Sequence, residues 1–292
     1  MSLMARSRVP APPAAPDSGR AGSEGSDSGG SDSGHPGSGL QVYGLQNSGN
    51  QNSGHPGSGS AGVQGSLGSP AGAEAAARPG PEAILPTYET QAEAFARLRG
   101  QALWEAGWLR RMLAAAPGRR VLDLGCGTGR PIAAWLAAAG AEVTGVDGAA
   151  AKGRLFRAAV PGAGFVQADM RRLSLGRRFD ALLAWDSFFH LAPADQRATI
   201  RVFAAHAAPG AALLFTSGPR AGEAWGQVNG APVYHASLDP EEYRAALAQA
   251  GFSVLAFAPE DPECDFHTVW LARFGGGRSG ARRGPETTSL VR

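Results

Sequence analysis

"VLDLGCGTGR", Val121 to Arg130, sets three glycines at alternate positions directly behind an apolar run that carries one aspartate. The run reads as a buried strand and the glycines as its turn into a helix. Without a Cβ, such a turn is tight and lets backbone N–H groups approach a ligand. A dinucleotide fingerprint takes glycines at positions one, three and six. Here Gly125, Gly127 and Gly129 hold one, three and five, Arg130 holds six, and the lysine of a phosphate-binding P-loop is missing. Asp123 completes the pattern D-x-G-x-G-x-G. An acid beside a glycine turn suits a ligand with a cationic amino group better than a pyrophosphate.

Outward from this stretch, short apolar runs alternate with Ala-rich helical ones. "RVLDLG", "AEVTGVD", "GFVQAD", "FDALLAW" and "AALLFTS" read as buried strands. "RPIAAWLAAAG", "AAAKGRLFRAAV" and "PADQRATIRVFAAHAAPG" between them carry helical periodicity. That order predicts βαβ units, hence a doubly wound, mostly parallel α/β sheet with both faces covered. A further helix starts near Asp239, with Asp239 as its N-cap and Pro240 in its first turn. Two last strands, "FSVLAFA" and "HTVWLARF", are about nine residues apart, too close for a parallel crossover, so they pair antiparallel. "ETQAEAFARLRGQALWEAGWLRRMLAAA" ahead of the first strand reads as one or two amphipathic helices. Asn229-Gly230, between two alternating runs, signals an inserted two-residue hairpin.

"LDLGCGTGR" resembles the first motif of class I S-adenosylmethionine (SAM)-dependent methyltransferases, and the resemblance runs roughly from Tyr88 to Phe274. It implies a Rossmann-like seven-stranded sheet whose last strand is antiparallel, SAM as cofactor, and an enzyme; two cysteines, Cys126 and Cys264, are too few for a disulfide framework and fit a reduced, cytoplasmic protein. Asp123, Gly125, Cys126, Gly127 and Gly129 would form the first part of the cofactor site, with Cys126 a small turn residue rather than a nucleophile. Asp147 ends "VTGVD", where a strand-tip carboxylate can take both ribose hydroxyls; it also suits a helix N-cap. In the family, an acid at the position of Asp169 accepts from the adenine amino group, and the N–H of Met170 reaches a ring nitrogen. Gly148 departs from the usual polar helix start, so capping there is expected to be poor.

The fourth strand ends in "AWDSFFHL", at the sheet edge where strand order reverses and ligands bind. Trp185 and Asp186 would lie near the transferable methyl, with Asp186 or His190 able to take a proton from the nucleophile. His190 is the better base on its ordinary pKa of about 6.5. The hairpin reads as a substrate lid that brings Trp225, Tyr234 and a third candidate, His235. A structural role, capping or packing, is open for each of these residues. "AWDSFFHL" resembles a segment of bacterial small-molecule methyltransferases of the family, which implies a small-molecule acceptor; the "[DN]-P-P-[YF]" segment of DNA-adenine and many other amino-group methyltransferases is absent, which argues against a flipped-base substrate.

Composition bounds the rest. Of 292 residues, 1–82 are Gly, Ser, Pro and Ala with a single aromatic, and read as a disordered low-complexity tail. Residues 83–274 read as the methyltransferase domain and 275–292 as a disordered basic tail. The net charge is +2, but the last eighteen residues hold +3 and the first 82 hold −2, so the domain carries about +1. No basic stripe marks a nucleic-acid partner. No transmembrane-length apolar run marks a membrane. The six His are too scattered for a metal site. Oligomeric state is not encoded in any pattern. A catalytically silent SAM-fold binding protein and a protein methyltransferase tethered by the tail remain as alternatives.

Overall fold

The computed structural model describes residues 78–99 and 102–276. The tail read over residues 1–82 lies outside the described residues up to position 77, and that over 275–292 lies outside them from 277. Residues 78–83 run against the hairpin: Trp225 Nε1 donates to the Pro79 carbonyl at 2.8 Å, and Arg78 lies over the same indole.

Two helices, α1 (Ile84–Leu98) and α2 (Ala106–Ala115), precede β1 (Arg120–Leu124). α1 starts five residues ahead of the expected Glu89, because Pro86 falls in its first turn, where no N–H is needed. Then follow α3 (Ile132–Ala138), β2 (Glu142–Asp147), α4 (Ala150–Ala159), β3 (Gly164–Gln167) and β4 (Phe179–Ala184). α5 (Pro193–His206) leads into β5 (Ala207–Ser217). The helical pattern read through Gly210 thus stops four residues early. Pro209 disfavours helix at Ala208, and Gly210 sits at φ +81°, so the chain enters the sheet instead.

The hairpin is β6 (Gly222–Val228) with β7 (Ala231–Ser237). Val228 pairs with Ala231, and Asn229 and Gly230 both take positive φ, as a two-residue type I′ turn requires. After α6 (Pro240–Gln249), capped by Asp239 on the Glu241 N–H, come β8 (Phe252–Asp261) and β9 (His267–Phe274).

The seven-stranded sheet has the order β3-β2-β1-β4-β5-β9-β8, and β9 runs antiparallel to both neighbours. Period two sorts its side chains. Leu122, Leu182 and Leu213 face one buried cluster with α5 and α6, while Val121, Leu183 and Leu214 face another with α2, α3 and α4. A third, smaller cluster joins Ile84 of α1 to Val228, Val233 and Tyr234 of the hairpin. Strand order reverses between β1 and β4, which fixes where a ligand crevice opens. Among the described residues no helix is long and apolar enough to cross a membrane.

Candidate active site

A cavity opens at the carboxyl ends of β1 to β4, with α1 against it. Its wall includes every residue expected to hold the cofactor: Asp123, Gly125, Cys126, Gly127 and Gly129 after β1, Asp147 and Gly148 after β2, Asp169 and Met170 after β3, and Trp185 after β4.

The glycine spacing has a backbone cause. Gly125, Gly127 and Gly129 take φ of +76°, +56° and +80°, a left-handed region that costs L side chains. A Cβ on Gly125 would stand 2.2 Å from Ser187 Cβ, and one on Gly129 would stand 2.9 Å from Phe156. At Gly127 there is room, so conformation alone demands glycine. The Gly125 and Cys126 N–H groups both donate to the Val146 carbonyl, which pins the turn to β2. Burial pushes the Cys126 thiol well up, away from the thiolate form that a nucleophile needs.

Asp147 ties the loop to the next helix. Its Oδ2 accepts from the Gly127 N–H at 3.0 Å and its Oδ1 from the Ala149 N–H at 2.9 Å. The weak helix start expected after Gly148 is corrected by this bond and by one from outside: Glu89 of α1 accepts from the Ala151 N–H at 3.0 Å. Gly148 has a packing reason too, since Leu85 of α1 occupies the space a Cβ would need.

Two charges beside Asp147 decide what fits the cavity. Lys152, the one lysine of the chain, is buried 4.0 Å from Asp147 Oδ2, with its Nζ 3.5 Å from the centre of the Tyr88 ring. Burial lowers its pKa against the pull of Asp147. Asp123 is only 4% exposed, and among the described residues nothing hydrogen-bonds its carboxylate. Burial, then the charge of Asp147, raise it to about 7. An ionised carboxylate there calls for a cationic partner.

Asp169 stands at the mouth of the cavity as the cap of the short 3₁₀ turn Met170–Arg172. Its carboxylate holds Arg171 through the backbone N–H at 2.9 Å and the guanidinium at 2.6 Å. Burial works the other way, but Arg171 keeps the carboxyl below its ordinary pKa.

After β4, Asp186 takes φ +48° and lines the cavity. Its N–H donates to Thr216 Oγ1 at 2.9 Å. His267 Nε2 lies 3.1 Å from Asp186 Oδ1 and 3.2 Å from Oδ2, and its ring stacks on Trp185. Burial pulls His267 down, but Asp186 outweighs it and the imidazole rises to about 9.

His190 also lines the cavity, with both ring nitrogens engaged. Nδ1 lies 2.8 Å from the Tyr234 carbonyl, which only accepts, so Nδ1 carries the proton and Nε2 accepts from the Tyr88 hydroxyl at 3.0 Å. Burial and the neighbouring His235 drive His190 down to about 3. His235 is held down at about 4, again chiefly by burial. It packs on His190 and Phe189 and is not part of the cavity wall, unlike the other two catalytic candidates.

Sequence reasoning missed Leu85, Tyr88, Lys152 and Arg99 in the cavity wall, and His267 beside it. Tyr88 meets His190 across 102 residues and His267 meets Asp186 across 81, and no local pattern announces such pairs. For Lys152 a signal existed: the chain has one lysine, on the buried face of a helix.

The sequence matches the family described as "Methyltransferase domain" over residues 95–256, more than half of the chain. No curated protein matches it. Among solved structures, the magnesium protoporphyrin IX methyltransferase ChlM of Synechocystis PCC 6803, with bound SAM, aligns at 18% identity, covering 68% of this chain and 99% of that one, with a TM-score of 0.53. The CcbJ methyltransferase of Streptomyces caelestis aligns at 20% identity, over 64% and 96% of the two chains, at 0.52. The sugar N-methyltransferase KedS8 of Streptoalloteichus sp ATCC 53650 aligns at 23%, over 76% and 99%, at 0.50. With the D-x-G-x-G-x-G turn, the reversal between β1 and β4 and the antiparallel β9, these matches establish that the chain belongs to the class I SAM-dependent methyltransferase family.

Proposed function

We propose that this protein transfers the methyl group of SAM to an O–H or N–H of a small molecule, with Asp186 receiving that group's hydrogen bond. The observation that carries the reading is the Asp186 carboxylate standing in the same cavity wall as the glycine loop. Asp123 would hold the cofactor's amino group, Asp147 its ribose, and Met170 with Asp169 its adenine, Asp169 sharing its carboxylate with Arg171. The cofactor's sulfonium supplies a methyl group that is already activated. The protein's task is therefore alignment and the exclusion of water. Asp186 orients the nucleophile and accepts its proton where one must leave. His190 is no base in this reading: its Nε2 lone pair is used by Tyr88, and it stays neutral down to about pH 3. His235 packs against it and keeps it so. α1 and His190 line the cavity along with the sheet's loops, which supports a small acceptor held among them.

Incubation with methyl-labelled SAM and either a small-molecule extract or a protein extract tests this. Label in the small-molecule fraction is expected. Label in protein alone would replace this reading with protein methylation, and SAM binding without label transfer would leave a binding protein.

A further inference from the structure

We propose that His267 is a positioning residue for methyl transfer: as a buried imidazolium it fixes the Asp186 carboxylate, in charge and in direction, toward the acceptor. The proposal rests on the reading of Asp186 given above.

The geometry carries it. His267 Nδ1 lies 2.8 Å from the Cys264 carbonyl, an atom that accepts and never donates. Its Nε2 lies within hydrogen-bond distance of both Asp186 oxygens. With Asp186 ionised, both ring nitrogens must carry protons to make these bonds, and a ring with two N–H groups is an imidazolium. The ring is 2% exposed, while the Asp186 side chain that lines the cavity is 26% exposed, so water reaches the pair only from the carboxylate side. Trp185 stacks on one face of the ring and restricts its rotation.

The acidic groups facing the ring come from three elements. They are Asp186 after β4, Glu105 ahead of α2, and Asp265 in the turn before β9. Arg99 takes up Glu105 at 2.6 Å, which leaves Asp186 as the carboxylate bonded to the ring. Asp186 in turn has a left-handed backbone whose N–H donates to Thr216 Oγ1, and the same hydroxyl reaches its Oδ1 at 3.3 Å, so Thr216 and His267 together direct its carboxylate. A carboxylate fixed this way takes a hydrogen bond from an amine or hydroxyl and repels an acceptor whose nucleophile is already anionic.

Nitrogen NMR of histidine-labelled full-length protein gives the first readout, with His267→Gln assigning the resonance. His267 is expected to remain doubly protonated to about pH 9 and to titrate well below that in Asp186→Asn, where burial is no longer outweighed. A neutral His267 at pH 7.5 in the wild type would overturn the proposal. This arm does not depend on His267→Gln folding well, since Asp186→Asn shifts the same resonance. The second readout is the rate of label transfer from SAM to the small-molecule extract. His267→Gln should lose roughly tenfold to a hundredfold, with SAM affinity within threefold. Its profile should also lack the wild type's fall above pH 9. Full rate in His267→Gln with loss in Asp186→Asn sinks the role of His267 alone. Full rate in Asp186→Asn sinks the reading of Asp186, whatever the resonance does.

Discussion

Asp147 is bonded to the loop before it and to the helix after it, so its removal does two things at once. Asp147→Ala should weaken SAM binding by at least tenfold, since each bond to a charged group is worth roughly 1.5–3 kcal/mol and 1.4 kcal/mol is a decade. Calorimetry checks this; an unchanged dissociation constant leaves Asp147 as a tie between Gly127 and Ala149 only. Asp123 makes a prediction in pH. It ionises near 7, so SAM affinity should rise as pH passes through 7 and the carboxylate forms to meet the ammonium. The sign for stability is opposite. Between about pH 4, where an unfolded Asp loses its proton, and pH 7 the native state holds a proton that the unfolded chain has released. The ligand-free protein therefore loses stability with rising pH across that window. Asp123→Asn should remove that slope and melt higher than the wild type at pH 8. A lower melting point at pH 8 would mean that the buried carboxylate is better paired than it is here. These residues were legible in the sequence because each sits at a fixed offset from a strand end. The surroundings of His190 were not: an ordinary pKa says nothing of a ring buried between Tyr88, Tyr234 and His235.

Among the elements, α4 shows why local capping rules fell short. Its own N-cap residue is Ala149, with no side chain to offer, and the donor at Ala151 is met by Glu89 from α1. Glu89→Ala should cost about 1 kcal/mol, the usual loss of a helix cap, read as a shift in urea midpoint at unchanged slope. It should also loosen SAM binding, because α1 brings Leu85 and Tyr88 to the cavity. No effect on either would make the contact incidental. Strand order and the type I′ hairpin were readable from period and turn chemistry. The start of β5 was not, because "FAAHAA" suits a helix until Pro209 and Gly210 break it.

For the whole molecule, the parts that bind and the parts that cover are built from different cores. The sheet has its two clusters, while α1 and the hairpin share a third, extended to Pro79 by Trp225. A chain starting at Arg78 should melt cooperatively within a few degrees of the full-length protein. One starting at Ile84 loses the Trp225 bond to Pro79 and should melt lower, with weaker SAM binding. Equal melting of the two shorter chains would show that Pro79 and Arg78 add nothing.

That third core gives the protein a division useful to evolution. Val228, Val233 and Trp225 pack in that cluster, on a two-stranded sheet separate from the seven strands. Change can accumulate in the hairpin, none of whose residues lines the cavity, without touching the glycine turn.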